Sequence, residues 1–264
     1  MSTPLLAAGI AGIGFWARGL PSWQAACAYL ADGTLAADAP TRPAPQLLAP
    51  NERRRAPETV AVALEVALAA CTAAGHDPAT LASVFASTHG DLNITDYMCE
   101  TLAGEPRSIS PTRFHNSVHN AAAGYWTIGA GAMVPATAIS AYDATFAQGL
   151  LEALAQLATG TGAVLLVAYD GQATGPVARV SRSHGLLGAA LLLVRDPLPG
   201  MPRLQARLEA ESATPAPGGA LSLMLAGNAM APMLPLFEAL ALRRARTTLD
   251  AGHGTVLRIE TSHD

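Results

Sequence analysis

The hydrophobic positions of this chain follow two patterns: short continuous apolar runs, and longer segments with an apolar residue every three or four positions. The first pattern is typical of strands buried on both faces, and the second of helices that pack on a sheet. Predicted strands cover residues 9–17, 81–88, 136–141, 163–170, 185–196 and 255–260, and predicted helices cover residues 21–30, 57–75, 93–103, 117–131, 144–158 and 229–245. Strands alternating with helices predict a layered α/β fold.

A sharp turn from strand to helix lies within residues 137–154, which read TAISAYDATFAQGLLEAL. Several enzyme folds place a nucleophile at such a turn, where free backbone N–H groups and the positive end of the helix dipole are available. The residue at this turn is Asp143, whose carboxylate is a poor nucleophile toward a thioester compared with a cysteine thiolate. The turn is therefore either an active site with unusual chemistry or one that has lost its nucleophile. A structural role is also open, because aspartate often caps a helix N-terminus.

The amino-acid composition excludes some classes of function. Half of the chain is hydrophobic and 14% is charged, which indicates a well-buried protein or one that buries further surface against a partner. The net charge of −4 provides no field that would favour nucleic acid or an anionic membrane. All 16 basic residues are arginine, so Schiff-base catalysis by lysine is excluded within this chain.

The cysteines and the N-terminus predict a cytoplasmic location. Cys27, Cys71 and Cys99 are widely spaced and form no CxxC pair, which is typical of reduced thiols. The apolar N-terminal stretch has no basic region before it and is too short to span a bilayer. The GIAGIG sequence at residues 9–14 does not match a dinucleotide-binding motif, and we expect its glycines to serve close packing of a strand.

Histidine spacing raises the question of a metal site. His115 and His119 are four residues apart, a spacing that can place two imidazoles on one helical face. No third ligand is evident nearby, and Pro111 places His115 before the predicted helix. We therefore expect no metal, and loop hydrogen bonds with Asn116 or Ser117 as the helix cap.

Two turns carry polar residues whose role the sequence leaves open. His89 and Asp91 follow the strand at residues 81–88, where α/β proteins place binding loops, but a plain turn explains them equally well. His253 lies between two glycines near the C-terminus, and a turn before the last strand is the favoured explanation over a catalytic role.

Arg53, Arg54 and Arg55 form a compact basic cluster. Such a cluster is either a solvated loop with structural ion pairs or a contact for a phosphate or an acidic partner. The sequence does not decide between these two interpretations.

Five stretches together resemble the N-terminal half of the β-ketoacyl synthases, which have the thiolase fold. The resemblance is greatest to the short ketosynthase-like proteins of aryl polyene and xanthomonadin-type pigment gene clusters. The stretches are LLAPNERRRAPETVAVALEVALAA, LASVFASTHGDLNIT, SPTRFHNSVHNAAAGYW, AISAYDATFAQGLLEALAQL and VLLVAYDGQATGP, in family order over roughly residues 8–196. The third of them is the most specific. The resemblance implies a ketosynthase-like N-terminal domain at residues 1–198 and a short C-terminal segment at residues 199–264 that packs on the same core.

The resemblance also implies that catalysis has been lost. Condensing ketosynthases carry cysteine in a pattern similar to S-x-x-C-A-T-G, and the matching residue here is Asp143. They also need two histidines from the second half of the fold, most of which this chain lacks. His253-Gly254-Thr255 is similar to one histidine motif, but no room is left for the second histidine, so we interpret the similarity as coincidence.

An inactive homologue of this kind resembles a chain-length factor, a subunit that pairs with an active ketosynthase and shapes its acyl tunnel. The implied partners are a full-length ketosynthase and acyl carrier protein, with no cofactor, no metal and no membrane span. The residues implied to line the acyl tunnel or the subunit interface are Phe114, Tyr125, Trp126, Tyr142, Phe146, Val164 and Leu166. Those implied to contact the partner are Arg53, Arg54 and Arg55.

Two alternatives stay open beside this pseudoenzyme role in polyene or fatty-acid-like biosynthesis. In the first, the chain processes thioesters by itself, as a hydrolase or decarboxylase that uses Asp143 as base or nucleophile. In the second, it is a binding module for acyl carrier protein that uses residues 53–55. Co-purification with a cysteine-containing ketosynthase would discriminate among the three.

Overall fold

A single mixed sheet of eight strands forms the centre of the computed structural model, which describes residues 6–211 and 218–263. The strands are β1 (Leu6–Ala17), β2 (Ala82–Ala86), β3 (Ala136–Ile139), β4 (Ala163–Asp170), β5 (Leu187–Val194), β6 (Arg203–Glu209), β7 (Arg246–Gly252) and β8 (Thr255–Ser262). Their order across the sheet is β3-β2-β4-β5-β1-β6-β8-β7. β2 runs parallel to β3 and β4, and the other neighbouring pairs are antiparallel. This is the mixed α/β fold that the sequence predicts.

Helices cover both faces of the sheet. They are α1 (Trp23–Asp32), α2 (Pro50–Arg55), α3 (Glu58–Ala74), α4 (Leu92–Gly104), α5 (Pro111–Asn116), α6 (Ala121–Ala130), α7 (Thr145–Ala158), α8 (Ala220–Met224) and α9 (Leu234–Ala241). α3 and α6 share one hydrophobic core with the sheet, and α1, α7, α8 and α9 share the core on the opposite face. Among the described residues, no helix is long and apolar enough to cross a bilayer.

The contact between α3 and β1 explains two glycines of the GIAGIG sequence. A Cβ on Gly12 would collide with the carbonyl oxygen of Ala70, and one on Gly14 with the carbonyl oxygen of Val66, both in α3. The backbones of strand and helix therefore touch, which only glycine allows. The expectation that these glycines serve close packing is confirmed.

The C-terminal segment continues the same sheet. β6 pairs with β1, and β8 and β7 follow outward from it. The apolar side chains of these strands, including Leu204, Leu257 and Ile259, belong to the same buried cluster as Ile10 of β1. This chain therefore closes its core with strands of its own, although residues 212–217 of the segment lie outside the described part.

The structure departs from the predicted elements in several places. The helix expected at residues 117–131 begins only at Ala121, as α6, and residues 111–116 before it form α5, so His115 lies within a helix and not before one. The helix expected at residues 229–245 is confined to α9. The strands β6 and β7 were not predicted from the sequence.

Candidate functional site

The predicted strand-to-helix turn is present and is centred on Tyr142. β3 ends at Ile139, residues 142–144 form one turn of 3₁₀ helix, and α7 begins at Thr145. Tyr142 has φ of 55°, in the left-handed region that costs free energy for a residue with a side chain. This strained backbone turns the chain sharply at the position just before Asp143.

Asp143 does not cap α7. The N-cap residue of that helix is Ala144, and no side chain accepts a hydrogen bond from the first turn. The capping role that the sequence left open is therefore wrong for Asp143, whose side chain is exposed. A carboxylate is a poor nucleophile toward a thioester unless neighbouring groups bind and polarise the electrophile. Within the described residues, the Asp143 side chain forms no hydrogen bond and no ion pair that would place such a group beside it.

Thr145, rather than Asp143, holds the turn in place. The residue is 1% exposed, and its hydroxyl accepts a hydrogen bond from the N–H of Ala141 at 2.9 Å and donates one to the carbonyl oxygen of Tyr142 at 2.6 Å. Just before the turn, the Ser140 hydroxyl donates a hydrogen bond to the carbonyl oxygen of Thr88 at 3.0 Å. The turn is thus tied to the loop that follows β2, as expected for the adjacent carboxyl ends of two parallel strands.

A buried carboxylate that the sequence analysis missed organises that loop. Asp170, the last residue of β4, is fully buried and accepts hydrogen bonds from the Ser87 hydroxyl at 2.8 Å, the Thr88 N–H at 3.0 Å and the His89 N–H at 3.2 Å. Burial raises the pKa of the Asp170 carboxyl, and the hydrogen bonds from residues 87–89 partly oppose that shift. The only signal in the sequence was a charged residue at the end of a continuous apolar strand.

The histidines near the turn have structural contacts. A ring nitrogen of His119 lies 2.7 Å from the carbonyl oxygen of Ser87, and one of His89 lies 3.4 Å from the Ser181 hydroxyl. The ring of His115 packs edge-on against Tyr125, with 6.0 Å between the ring centroids. Among the described residues, no group of three or more histidine, cysteine, aspartate or glutamate side chains could hold a metal ion.

The turn between β7 and β8 lies against the start of α7. A Cβ placed on Gly252 would be 3.4 Å from the Cβ of Ala144, and the Gln148 side chain donates to the carbonyl oxygen of Ala251 at 2.7 Å. His253 occupies the tip of this turn with φ of 53° and an exposed side chain. The sequence analysis did not anticipate this proximity, because β7 was not identified.

Four residues assigned to the acyl tunnel or the interface are interior. Val164 and Leu166 are fully buried in β4, a central strand that β2 and β5 flank on its two sides, so this chain itself covers both. Trp126 is fully buried against Phe85, with 6.4 Å between the ring centroids. Phe146 is buried against Phe237, with 6.0 Å between centroids. The structure thus places all four side chains in the interior, and their role at an acyl tunnel or a subunit interface stays a prediction.

The other three residues of that set are accessible. Phe114 is 60% and Tyr142 is 68% exposed, and Tyr125 is half-buried. Adjacent residues of a helix point about 100° apart, which explains how Tyr125 reaches the surface while Trp126 fills the core. The sequence analysis expected such a division within this pair without deciding which residue faced outward.

The arginine cluster forms α2 instead of a loop, and its members differ. Arg53 is half-buried and donates to the carbonyl oxygen of Leu48 at 3.0 Å, so it is partly structural. The Arg54 guanidinium donates a hydrogen bond to the Asn51 side chain within the same helix, and Arg55 is exposed. None of the three forms an ion pair within the described residues. Arg54 and Arg55 therefore present their charge to solvent.

The sequence of residues 23–221 matches the family model described as β-ketoacyl synthase, N-terminal domain. Because this match covers most of the chain, the protein belongs to that family. No curated protein sequence matches the chain.

Solved structures support the same fold. One is the ketosynthase ApeO in complex with its chain length factor ApeC from Xenorhabdus doucetiae, at 24% identity and a TM-score of 0.74, where the match covers 97% of this chain and 99% of the other. A second is the ishigamide ketosynthase/chain length factor, at 14% identity and a TM-score of 0.73, with 97% and 99% covered. A third is AntDE:AntF, a type II polyketide synthase acyl carrier protein in complex with its ketosynthase, at 11% identity and a TM-score of 0.73, with 99% and 100% covered.

Proposed function

We propose that this protein is a non-catalytic ketosynthase-like subunit, a chain-length factor, that pairs with an active β-ketoacyl synthase in the cytoplasm. The pair would extend polyene or fatty-acid-like chains carried on acyl carrier protein. The observation that carries this proposal is the intact nucleophile turn with an exposed, unassisted aspartate at the position where condensing relatives hold cysteine. Two of the solved structures with the same fold, in which a ketosynthase is paired with a chain length factor, support it.

The chemistry of Asp143 argues against independent condensation. Condensation needs a strong nucleophile, such as a cysteine thiolate, and acid–base partners within hydrogen-bonding reach of the reacting groups. Asp143 is exposed at a strained turn, and His253, which is in the neighbouring turn, makes no hydrogen bond or ion pair with it within the described residues. Thr145 and Ser140 preserve the shape of the nucleophile turn, although the described residues do not supply the groups that condensation needs. This combination favours a structural role for the subunit over a catalytic one.

The open edge of the sheet is the surface best suited to the ketosynthase partner. Ser83 donates to the carbonyl oxygen of Pro135 and Ser87 to that of Ile139, so alternate residues of β3 face β2. Ala136 and Ala138 between them direct their N–H and C=O groups away from β2, because these groups alternate along a strand. No other strand of the described residues pairs with this edge. An uncovered edge of this kind is a template for a strand of another chain.

Apolar side chains surround this edge. Ile128 at the end of α6 is 80% exposed, and Met133 in the loop before β3 is 96% exposed. Phe114, Val118 and Tyr142, from the segments on either side, are also largely exposed. A run of exposed apolar residues flanking a free strand edge is typical of a buried subunit interface. We therefore assign Phe114 and Tyr142, which the resemblance assigned to tunnel or interface, to the same proposed surface.

Acyl carrier protein is proposed as the second partner, through Arg54 and Arg55 of α2. Both arginines are exposed and neither forms an ion pair within the described residues. Free guanidinium groups on one short helix suit carboxylates or a phosphate. Arg53, which is held by Leu48, would support the helix rather than bind the partner.

Reconstitution with a cysteine-containing ketosynthase tests the proposal. Malonyl-loaded carrier protein is incubated with the ketosynthase alone, with this chain alone and with both, and products are measured by mass spectrometry. We expect chain extension to a defined length only when both proteins are present. Extension by this chain alone would favour the stand-alone enzyme, and identical products with and without it would contradict the proposed role.

A matched pair of surface variants sharpens this test. Ile128→Asp places a charge on the proposed interface, whereas Leu223→Asp places one on an exposed apolar residue of α8, which packs on the opposite face of the sheet. We expect the first variant to lose co-purification with the ketosynthase and the second to keep it. Loss with both variants, or with neither, would place the interface elsewhere.

A further inference from the structure

A polar cleft separate from the nucleophile turn lies between the start of α3 and helix α5. It has a volume of about 560 Å³ and extends to the loops that follow β2 and β4. Neither Asp143 nor any other residue of the nucleophile turn lines it. Its volume lies in the range of small-molecule sites in proteins. We call it the Asn116 cleft, after the residue that distinguishes it.

Asn116, the last residue of α5, is buried with an unused hydrogen-bond acceptor. Its side chain lines the cleft and is 4% exposed, yet its Oδ1 atom has no hydrogen-bond donor within the described residues. Buried polar atoms in folded proteins nearly always have a partner, and exceptions call for an explanation. Because Oδ1 can only accept, the group that would complete this site must carry an N–H or O–H donor.

Arg55 and Arg113 bring positive charge to the mouth of the cleft. Both are exposed, both line it, and neither forms an ion pair within the described residues. The guanidinium of Arg113 lies over the ring of Tyr97 at 4.0 Å, which fixes its plane and leaves its N–H groups free. Two exposed guanidinium groups at the mouth of one cleft suit a phosphate or carboxylate.

The carboxylates that line the cleft already accept hydrogen bonds from other groups of this chain. Asp91 accepts hydrogen bonds from the Thr59 hydroxyl at 2.7 Å and from the Ile94 N–H at 3.0 Å. Glu58 accepts a hydrogen bond from Arg42 at 2.7 Å. Their negative charge disfavours an anion deep in the cleft, so an anionic group belongs at the mouth and a neutral donor group belongs near Asn116.

We propose that the Asn116 cleft binds a phosphorylated, amide-bearing chain, with the phosphate at Arg55 and Arg113 and an amide N–H donated to Asn116. The 4′-phosphopantetheine arm has this chemistry, since a phosphate is joined to two successive amides. The choice of this ligand rests on the proposed function, in which acyl carrier protein is a partner. Arg55 belongs to both proposed contacts, so a carrier protein docked on α2 would present its arm at the mouth of the cleft.

Titration of the full chain with pantetheine 4′-phosphate tests this inference. We expect saturable 1:1 binding, with pantetheine and inorganic phosphate each at least about tenfold weaker because each lacks one half of the recognition. Absence of saturable binding at millimolar ligand would overturn the inference. Equal affinity for inorganic phosphate would also overturn it, because the cleft would then be a general anion site.

Single-residue variants test whether binding depends on the residues that line the cleft. Asn116→Ala should weaken binding about threefold to tenfold. It should leave the melting temperature unchanged or raised, since no hydrogen bond of Oδ1 is lost within the described residues. Arg55→Gln should weaken binding about tenfold. Arg107→Gln is the matched control, because Arg107 is exposed and does not line the cleft. Equal losses for Arg107→Gln and Arg55→Gln would contradict the assignment.

Binding of carrier protein with and without its 4′-phosphopantetheine arm tests whether the arm of that protein is the ligand of the cleft. We expect the protein bearing the arm to bind more tightly than the same protein without it, and Asn116→Ala to abolish that difference. A difference that survives Asn116→Ala would place the arm elsewhere. Pairing of the Asn116→Ala variant with the ketosynthase is measured separately and should be unchanged. Failure of arm binding with normal pairing would reject this inference and leave the proposed function standing.

Discussion

The Ser87 hydroxyl donates a hydrogen bond to the Asp170 carboxylate at 2.8 Å, and this bond joins the ends of β2 and β4 in the interior. The same carboxylate also accepts from the N–H groups of Thr88 and His89. Thr88 in turn accepts a hydrogen bond from Ser140 of the nucleophile turn. One buried acid therefore fixes the loop on which the turn rests.

Replacement of Asp170 by asparagine should destabilise the fold and change its pH dependence. An amide NH₂ would face one of the three donors, which should cost about 1–3 kcal/mol in the free energy of unfolding. Burial raises the pKa of the native Asp170 carboxyl above 3.8. The native state then binds more protons than the unfolded state between those two pKa values, so this stability is present below pH 3.8 and is lost as pH rises through the native pKa.

Urea unfolding of both proteins from acidic to neutral pH checks this sign. We expect the stability advantage of the native chain over Asp170→Asn to shrink as the pH rises through that window. An advantage that grows with pH would show that the hydrogen bonds from residues 87–89 outweigh burial, and would reverse the assigned direction of the pKa shift.

Asp143 and Asp91 should differ sharply in their contribution to stability. Asp143→Ala should change the free energy of unfolding by less than about 0.5 kcal/mol, because the side chain is exposed and caps no helix. Asp91→Ala should cost about 1–2 kcal/mol, since Asp91 caps α4 and accepts the Thr59 hydrogen bond. Thermal melts of the two variants measure the contrast. Equal losses would mean that Asp143 has a structural contact that this account lacks.

No covalent acyl adduct should form on the isolated chain. Incubation with acyl-loaded carrier protein followed by intact-mass analysis should leave its mass unchanged, because the Asp143 carboxylate is a poor nucleophile toward a thioester. Asp143→Cys should likewise fail to condense, since a thiol alone lacks its acid–base partners. An acyl adduct mapped to Asp143 in the native chain would revive the thioester-processing alternative, and condensation by the Cys variant would implicate the turn that carries His253.

Tyr125 and Trp126 should separate product control from folding. Trp126→Ala should cost about 3–5 kcal/mol in stability, because that side chain is fully buried against Phe85. Tyr125→Ala should cost less, since Tyr125 is half-buried, and should shift the product to longer chains if it faces the shared tunnel. Melting temperature and product mass from the reconstituted pair are measured together. An unchanged product length with Tyr125→Ala would remove Tyr125 from the tunnel.

The elements with strong local signals were predictable from the sequence. α3 begins just after Pro57 and ends at Gly75, whose φ of 65° permits the left-handed stop that the sequence indicated. β4 is continuously apolar and occupies residues 163–170 as predicted. In both cases the local pattern and the tertiary packing favour the same structure, so the prediction succeeds.

The elements that were missed have weak local signals. β6 alternates buried and exposed residues but carries charge on its outer face, in the sequence RLQARLE, and β7 lies just after the helix that was predicted at residues 229–245. Both strands form because they pair with partners far along the chain, which local periodicity does not reveal. The identity of β3 as an uncovered edge, and hence the burial of Val164 and Leu166, likewise depends on strand order rather than sequence.

Only part of the candidate site could be predicted from the sequence. The turn at residues 142–144 follows from the change of hydrophobic period, and the position of Asp143 follows from the resemblance. Asp170 and Asn116 could not be identified, because their importance arises from burial beside distant segments. A charged or amide residue carries no mark in the sequence of whether folding leaves it solvated or enclosed.

The most direct test of the central claim is the affinity of the ketosynthase for two variants of one edge residue. Ala138→Pro removes the N–H that faces away from β2 and leaves the ladder between β2 and β3 intact, whereas Ala138→Val keeps that N–H and suits a strand. We predict that the Kd for the ketosynthase rises at least about tenfold with proline and changes little with valine, while both variants melt near the native temperature. A proline variant that is folded and binds the ketosynthase with native affinity would contradict the account.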